Sequence, residues 1–175
     1  PRDIGIIWKP ILVGGVFNAV NAAVYETRAN PVPAKLAYSE KDLQDWARLT
    51  GLNIGQPPVF PVNSVKAMRG AFFALDNDRL VPYAKAVFKS YWSDLADISQ
   101  EDELRTIVSA VGLNTEGFFA AIATQSYKDR LRQTTDELMQ RGGFGSPTMY
   151  LDGDDMYFGN DRLELIQARI DGRVG

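Results

Sequence analysis

Residues 142–171, GGFGSPTMYLDGDDMYFGNDRLELIQARID, constrain the fold more than any other stretch of this sequence. Pro147 precedes the extended-type run Thr148-Met149-Tyr150-Leu151, so it begins a strand, where its missing N–H interrupts no ladder. Asp152-Gly153-Asp154-Asp155 supplies turn residues, and Met156-Tyr157-Phe158 returns as a second strand. Gly159-Asn160-Asp161 opens a last helix, with Asp161 and Glu164 at capping-box spacing and Leu163, Ile166 and Ile170 recurring on one face. Amides at a helix start lack intrahelical partners and attract anions, which makes the junction a candidate seat for a ligand carboxylate. A simple cap by Asp161 accounts for the same residues.

Ahead of this block the pattern is mostly helical. Ile4-Gly5-Ile6-Ile7-Trp8 reads as a strand stopped by Lys9-Pro10, and Gly14-Gly15 allows a turn or close backbone approach. Asn30-Pro31-Val32-Pro33-Ala34-Lys35, with its two prolines, predicts an extended connection rather than a helix. Ser39 and Asp42 then read as the cap of a helix carrying Leu43, Trp46, Ala47 and Leu49, closed by Gly51. The proline-rich residues 55–64 form a second connector that delivers Asn63 to a helix start. Further helices follow: one bearing Phe72, Phe73 and Leu75, a long periodic segment from Leu80 to Ile98, one capped near Ser99, one begun at Asn114 or Thr115, and one over residues 126–141. Residues 38–126 therefore read as helical, between parts of an α/β sheet.

Two missing residue types exclude more chemistry than the charge does. The 175 residues contain no Cys and no His. The chain therefore has no thiolate of its own for disulfide exchange or metal binding, and no Ser-His-Asp catalysis. Thiol chemistry here requires a thiol brought by a cofactor. Lys plus Arg total 19 against 22 acidic residues, a formal charge of −3, which lacks the basic stripe of a nucleic-acid binder. No run has the apolar length of a membrane span. Asp152, Asp154 and Asp155 are better read as hairpin residues than as a cation loop, because the full calcium-ligand pattern is lacking.

The segment Gly143-Phe144-Gly145-Ser146-Pro147-Thr148, the two-stranded turn and Gly159-Asn160-Asp161-Arg162-Leu163 resemble the C-terminal half of the thioredoxin-like domain in 2-hydroxychromene-2-carboxylate isomerases, relatives of kappa-class glutathione transferases and DsbA-type oxidoreductases. Pro33-x-Lys35-x-x-Tyr38 and Phe60-Pro61-x-Asn63 followed by Ala67-Met68-Arg69 extend the resemblance. It implies an α/β thioredoxin-like domain at residues 1–37 and 127–175, with an all-helical domain inserted at 38–126. It also implies that a further strand and helix, carrying the serine that activates the thiol, lie upstream of this sequence, so no catalytic residue is assigned within the chain.

The resemblance implies glutathione as cofactor, a cis Pro147 with the backbone of Ser146 beside the cysteinyl part, Asn160 and Asp161 at the γ-glutamyl end, and Asn21 as a further contact. Asn21 follows Val20 where the family carries glycine, and a surface amide explains it nearly as well. Lys35, Asn63 and Arg69 are the substrate-side expectations; a solvated lysine, an N-cap and a helix-surface ion pair are their ordinary roles. The implied reaction is isomerisation of 2-hydroxychromene-2-carboxylate to trans-o-hydroxybenzylidenepyruvate, with glutathione recovered after turnover, in a cytoplasmic homodimer of aromatic degradation. A kappa-like glutathione transferase, a DsbA-like oxidoreductase and a noncatalytic interaction module are the alternatives.

Overall fold

A computed structural model describes residues 4–173. In chain order its elements are α1 (Val13–Val20), α2 (Ala23–Ala29), α3 (Pro33–Thr50), α4 (Val65–Asp76), α5 (Leu80–Phe88), α6 (Glu101–Ala110), α7 (Thr115–Ala123), α8 (Gln125–Gln140), β1 (Thr148–Leu151), β2 (Asp155–Phe158) and α9 (Leu163–Ile170). The hairpin forms where the turn residues lie: β1 and β2 pair antiparallel, Thr148 opposite Phe158 and Leu151 opposite Asp155. Asp152 and Gly153 take φ of 46° and 106°, values that Asp tolerates and Gly adopts freely. Arg141 fastens the hairpin to the end of α8. Its guanidinium carbon stands 3.6 Å from the Tyr150 ring centroid, and it pairs with Asp154 at 3.1 Å. Asp155 pairs with Arg169 at 3.5 Å.

The helical core comes from the apolar faces of α4 to α7. Ala67, Ala71, Ala74, Tyr83, Val87, Leu104, Ile107, Val108, Phe118 and Ile122 are buried together. Gly70 lets α4 approach closely: a Cβ there would stand 2.3 Å from Phe118 Cζ and 2.5 Å from the Tyr83 hydroxyl oxygen. That hydroxyl donates to the Ala67 carbonyl at 2.9 Å, so burying the phenol leaves no donor unpaired.

Helix α8 joins this core to α1. Thr135 Oγ1 accepts from the Leu12 amide at 3.0 Å, Thr134 Oγ1 donates to the Pro10 carbonyl at 2.6 Å, and Val16 of α1 is fully buried. Asp76, ending α4, receives both terminal nitrogens of Arg130, at 2.6 and 2.9 Å, and the Tyr127 hydroxyl at 2.7 Å. A forked guanidinium–carboxylate pair of this kind fixes orientation as well as distance.

Several elements differ from the sequence expectations. Residues 4–8 are not a strand: they have no ladder partner, since β1 and β2 pair with each other in a two-stranded sheet. Ile6 and Ile7 are 65% and 86% exposed. Pro33 does not sit in an extended connector. It occupies the first turn of α3, where a proline costs no hydrogen bond and its fixed φ suits the helix. Helix α3 thus begins six residues before Ser39, placing Ser39 and Asp42 inside it.

The long segment from Leu80 leaves α-geometry at Lys89–Ser93, which forms a π-helical turn. Cap assignments also move. Gln100 precedes α6 while Asp97 accepts from the Ser99 amide at 3.0 Å, and a 3₁₀ turn at Asn160–Arg162 precedes α9. Asp161 makes no cap hydrogen bond; it pairs with Arg162 at 2.7 Å, so the capping box with Glu164 does not form. The helix read as beginning at Asn114 or Thr115 starts at Thr115, with Asn114 as its cap, the Asn114 Oδ1 accepting from the Gly117 amide at 2.6 Å.

Candidate functional site

One hydrogen bond joins the two parts of the C-terminal block. The Gly159 amide donates to the Pro147 carbonyl at 3.1 Å, which sets Asn160 and Asp161 beside the start of β1. Gly159 takes φ 106° and ψ 151°, a region open almost only to glycine. A Cβ there would also approach Asp161 Oδ1 to 2.6 Å. The turn holding Asn160 and Asp161 therefore depends on a residue without a side chain.

Ser146–Pro147 is a cis peptide, as the resemblance implies. Ser146 and Pro147 are exposed, and neither the amide nor the carbonyl of Ser146 has a partner among the described residues. Free, exposed backbone groups of this kind can pair with an extended peptide-like ligand as another strand would.

Asn21 reaches the same neighbourhood from the other end of the sequence. Its Nδ2 donates to the Phe144 carbonyl at 3.2 Å, and the Phe144 ring packs on Phe158 with centroids 4.5 Å apart. Gly145 makes room for that pair, since a Cβ there would meet Phe158 at 2.8 Å. Asn21, Ser146, Pro147, Asn160 and Asp161 are thus linked by short contacts running through Phe144, Phe158 and Gly159. The aromatic pair as a brace was not foreseen; the Gly-Phe-Gly spacing is the signal that pointed to it.

The substrate-side residues are not gathered in the same way. Lys35 lies exposed on the first turn of α3 and makes no ion pair among the described residues. Asn63 is exposed and its Oδ1 accepts from the Val65 amide at 3.2 Å, which gives it a local role at the start of α4. Arg69 lines a groove of about 450 Å³ with Leu12, Lys128, Leu131, Arg132 and Thr135. Its Nε is buried and has no hydrogen-bond partner. Neither Lys35 nor Asn63 lines that groove.

A second groove, about 610 Å³, runs along α3 between Tyr38, Asp42, Leu43, Trp46 and Ile54 and includes Asn160. Trp46 and Tyr38 offer it apolar faces, and Asn160 a polar end next to the Pro147 loop. A mainly apolar groove with a few convergent polar groups is the usual form of a small-molecule site. The sequence shows Trp46 only as part of an apolar helix face; its sharing of a groove with Asn160 depends on packing between segments more than a hundred residues apart.

The burial of titratable groups adds no catalytic acid or base here. The resolved shifts of buried groups belong to the helical core and its clamp. Burial pushes the Tyr83 phenol well above its ordinary value, and the Arg130 hydrogen bonds hold Asp76 below the usual carboxylate range.

Residues 2–171 match the family model described as a DSBA-like thioredoxin domain. A 2-hydroxychromene-2-carboxylate isomerase of Pseudomonas putida is 30% identical over 142 residues, covering 80% of this chain and 67% of that protein. Human glutathione S-transferase kappa 1 is 30% identical over 89 residues, 47% of this chain and 39% of the relative. A solved structure of a selenomethionine-labelled 2-hydroxychromene-2-carboxylate isomerase superposes with a TM-score of 0.80 at 26% identity, covering 98% of this chain and 82% of the other. No helix among the described residues is long and apolar enough to cross a membrane. With a thioredoxin-type hairpin and terminal helix joined to a helical body, the chain belongs to the DSBA-like thioredoxin domain family and resembles its 2-hydroxychromene-2-carboxylate isomerases.

Proposed function

We propose that the protein is a glutathione-dependent isomerase acting on 2-hydroxychromene-2-carboxylate or a closely related aromatic carboxylate. The observation that carries this reading is the exposed Ser146 backbone, without a partner among the described residues, next to a turn that presents Asn160 and Asp161. That arrangement fits an extended tripeptide: Ser146 pairs with its cysteinyl backbone, Asn160 and Asp161 bind the γ-glutamyl end, and Asn21 steadies the loop through Phe144. Glutathione, when bound, supplies the thiol nucleophile that a chain without cysteine lacks.

In this reading residues 1–37 and 127–175 hold the cofactor, and the inserted helices, residues 38–126, shape the substrate side with Lys35, Asn63 and Arg69. The work of the chain's own residues is to position, to orient and to exclude competing chemistry. The names of the isomerase relatives support the reaction class. A cytoplasmic homodimer serving aromatic degradation completes the proposal.

The kappa-class match supports a second reading, a glutathione transferase that shares the cofactor residues but consumes the thiol. One experiment separates the two. The full-length protein is incubated with the chromene carboxylate and glutathione while the trans product and free glutathione are both measured. Isomer formation with full recovery of glutathione is the expected result. Accumulation of a conjugate without isomer overturns the isomerase reading in favour of transfer. A folded protein that binds no glutathione overturns both and leaves a noncatalytic module.

A further inference from the structure

Arg28 lies in the last turn of α2 and is exposed. Its guanidinium carbon stands 5.5 Å from the Phe17 ring centroid and 5.3 Å from that of Phe60. Among the described residues it has no ion-pair partner and no hydrogen bond to another side chain. Glu26, the acid nearest in sequence, is two positions away on the same helix, where side chains do not face one another.

The aromatic surroundings are held in place from several directions. Phe17 meets Tyr25 edge-on with centroids 6.4 Å apart, and the Tyr25 hydroxyl donates to Asn18 Oδ1 at 2.7 Å. Phe60 packs on Trp92 at 6.1 Å. Its connector is anchored to the π-helical turn by Gly55 N to Trp92 O at 2.7 Å and by the Tyr91 hydroxyl to Val59 O at 2.9 Å. Tyr25 and Phe60 remain 41% and 47% exposed, so the cation lies in a solvent-facing aromatic patch.

A guanidinium set against aromatic rings is oriented by them and keeps its N–H edge free for a planar, two-oxygen partner. Among the described residues no acid supplies that partner. The exposed rings beside it suit a flat aromatic body. Sequence position adds a constraint: Arg28 follows Asn21, which reaches the Phe144–Pro147 loop, and its ring partner Phe60 precedes Asn63 by three residues. Lys35 lacks such an aromatic frame among the described contacts. Arg69 lines a groove that already contains Asp136.

We infer that Arg28, steadied by Phe17 and Phe60, anchors the carboxylate of a planar aromatic substrate. This inference rests on the proposed isomerase function for the identity of the substrate, and on the local geometry alone for the recognition of an aromatic carboxylate.

The test uses the full-length protein, with trans-cinnamate as probe and cinnamamide as its uncharged counterpart. In R28Q, cinnamate binding measured by calorimetry is expected to weaken at least tenfold, with cinnamamide and glutathione binding unchanged. KM for the chromene carboxylate is expected to rise by a similar factor with kcat near the wild-type value, the pattern of lost ground-state binding. R28K keeps the charge and stem without the planar fork; several-fold weaker cinnamate binding is expected, and it serves as the readout if R28Q does not fold. Wild-type protein that binds no cinnamate, or R28Q that binds it as tightly as wild type, overturns the inference. Arg28-dependent cinnamate binding in a protein without isomerase activity overturns the proposed function and leaves the Arg28 site standing.

Discussion

The Gly159 amide donates to the Pro147 carbonyl at 3.1 Å, and this bond sets the spacing between the exposed Ser146 backbone and the Asn160-Asp161 turn. Two segments twelve residues apart in sequence are thereby held side by side.

Gly159→Ala tests that arrangement. The backbone at φ 106° and ψ 151° excludes a side chain, and the new methyl would stand 2.6 Å from Asp161 Oδ1. The expected cost is about 1–3 kcal/mol, read as a melting temperature lower by several degrees, together with weakened glutathione binding as Asp161 is displaced. Unchanged affinity would show that the turn does not position the ligand.

Asn21→Ala separates bracing from direct contact. Removing the amide frees the Phe144 carbonyl of its 3.2 Å bond, at about 0.5–1.5 kcal/mol. If Asn21 acts only through the loop, glutathione affinity falls in parallel with the melting temperature. A loss of affinity at unchanged stability would identify a direct contact instead.

Gly70→Ala probes the helical core. The added carbon would fall 2.3 Å from Phe118 Cζ and 2.5 Å from the Tyr83 hydroxyl oxygen, and neither buried ring has free space to retreat into. Overpacking of about 1–3 kcal/mol is expected, visible as a lower denaturant midpoint at an unchanged slope. The same substitution at the open Gly14, which has nothing within 4 Å of a Cβ, serves as the tolerated control.

The Asp76–Arg130 clamp has a pH signature. Hydrogen bonds from Arg130 first, and from Tyr127 with the Arg130 charge, hold the Asp76 carboxyl below its ordinary value. A depressed folded-state pKa means the contribution is fully present above the unfolded value, about 3.9, and is lost as pH falls through the folded one. Both side chains are about one-third exposed, so solvent screens the pair and the expected effect of Asp76→Asn at neutral pH is about 1 kcal/mol. Melting curves of wild type and variant should converge as pH drops below that aspartate value. A gap that persists or widens in acid would assign the stability to packing.

What could be read in the sequence was what neighbouring residues settle among themselves. The Asp152-Gly153 turn, the hairpin on either side of it and the Asn114 cap each follow from side chains within a few positions, so their chemistry fixes them locally. The lack of cysteine and histidine removed whole reaction classes, because no fold can supply an absent functional group. Tertiary packing decided the rest. Residues 4–8 have strand composition and stay unpaired, because a ladder needs a neighbouring strand. Pro33 suits a connector or a first helical turn equally, and in the fold it stands in the first turn of α3. Asn21 and Phe144, and Arg28 and Phe60, meet across 123 and 32 positions of sequence, and Trp46 and Asn160 come to line one groove across 114; these juxtapositions exist only once the segments are packed, since no local preference encodes which distant faces will meet.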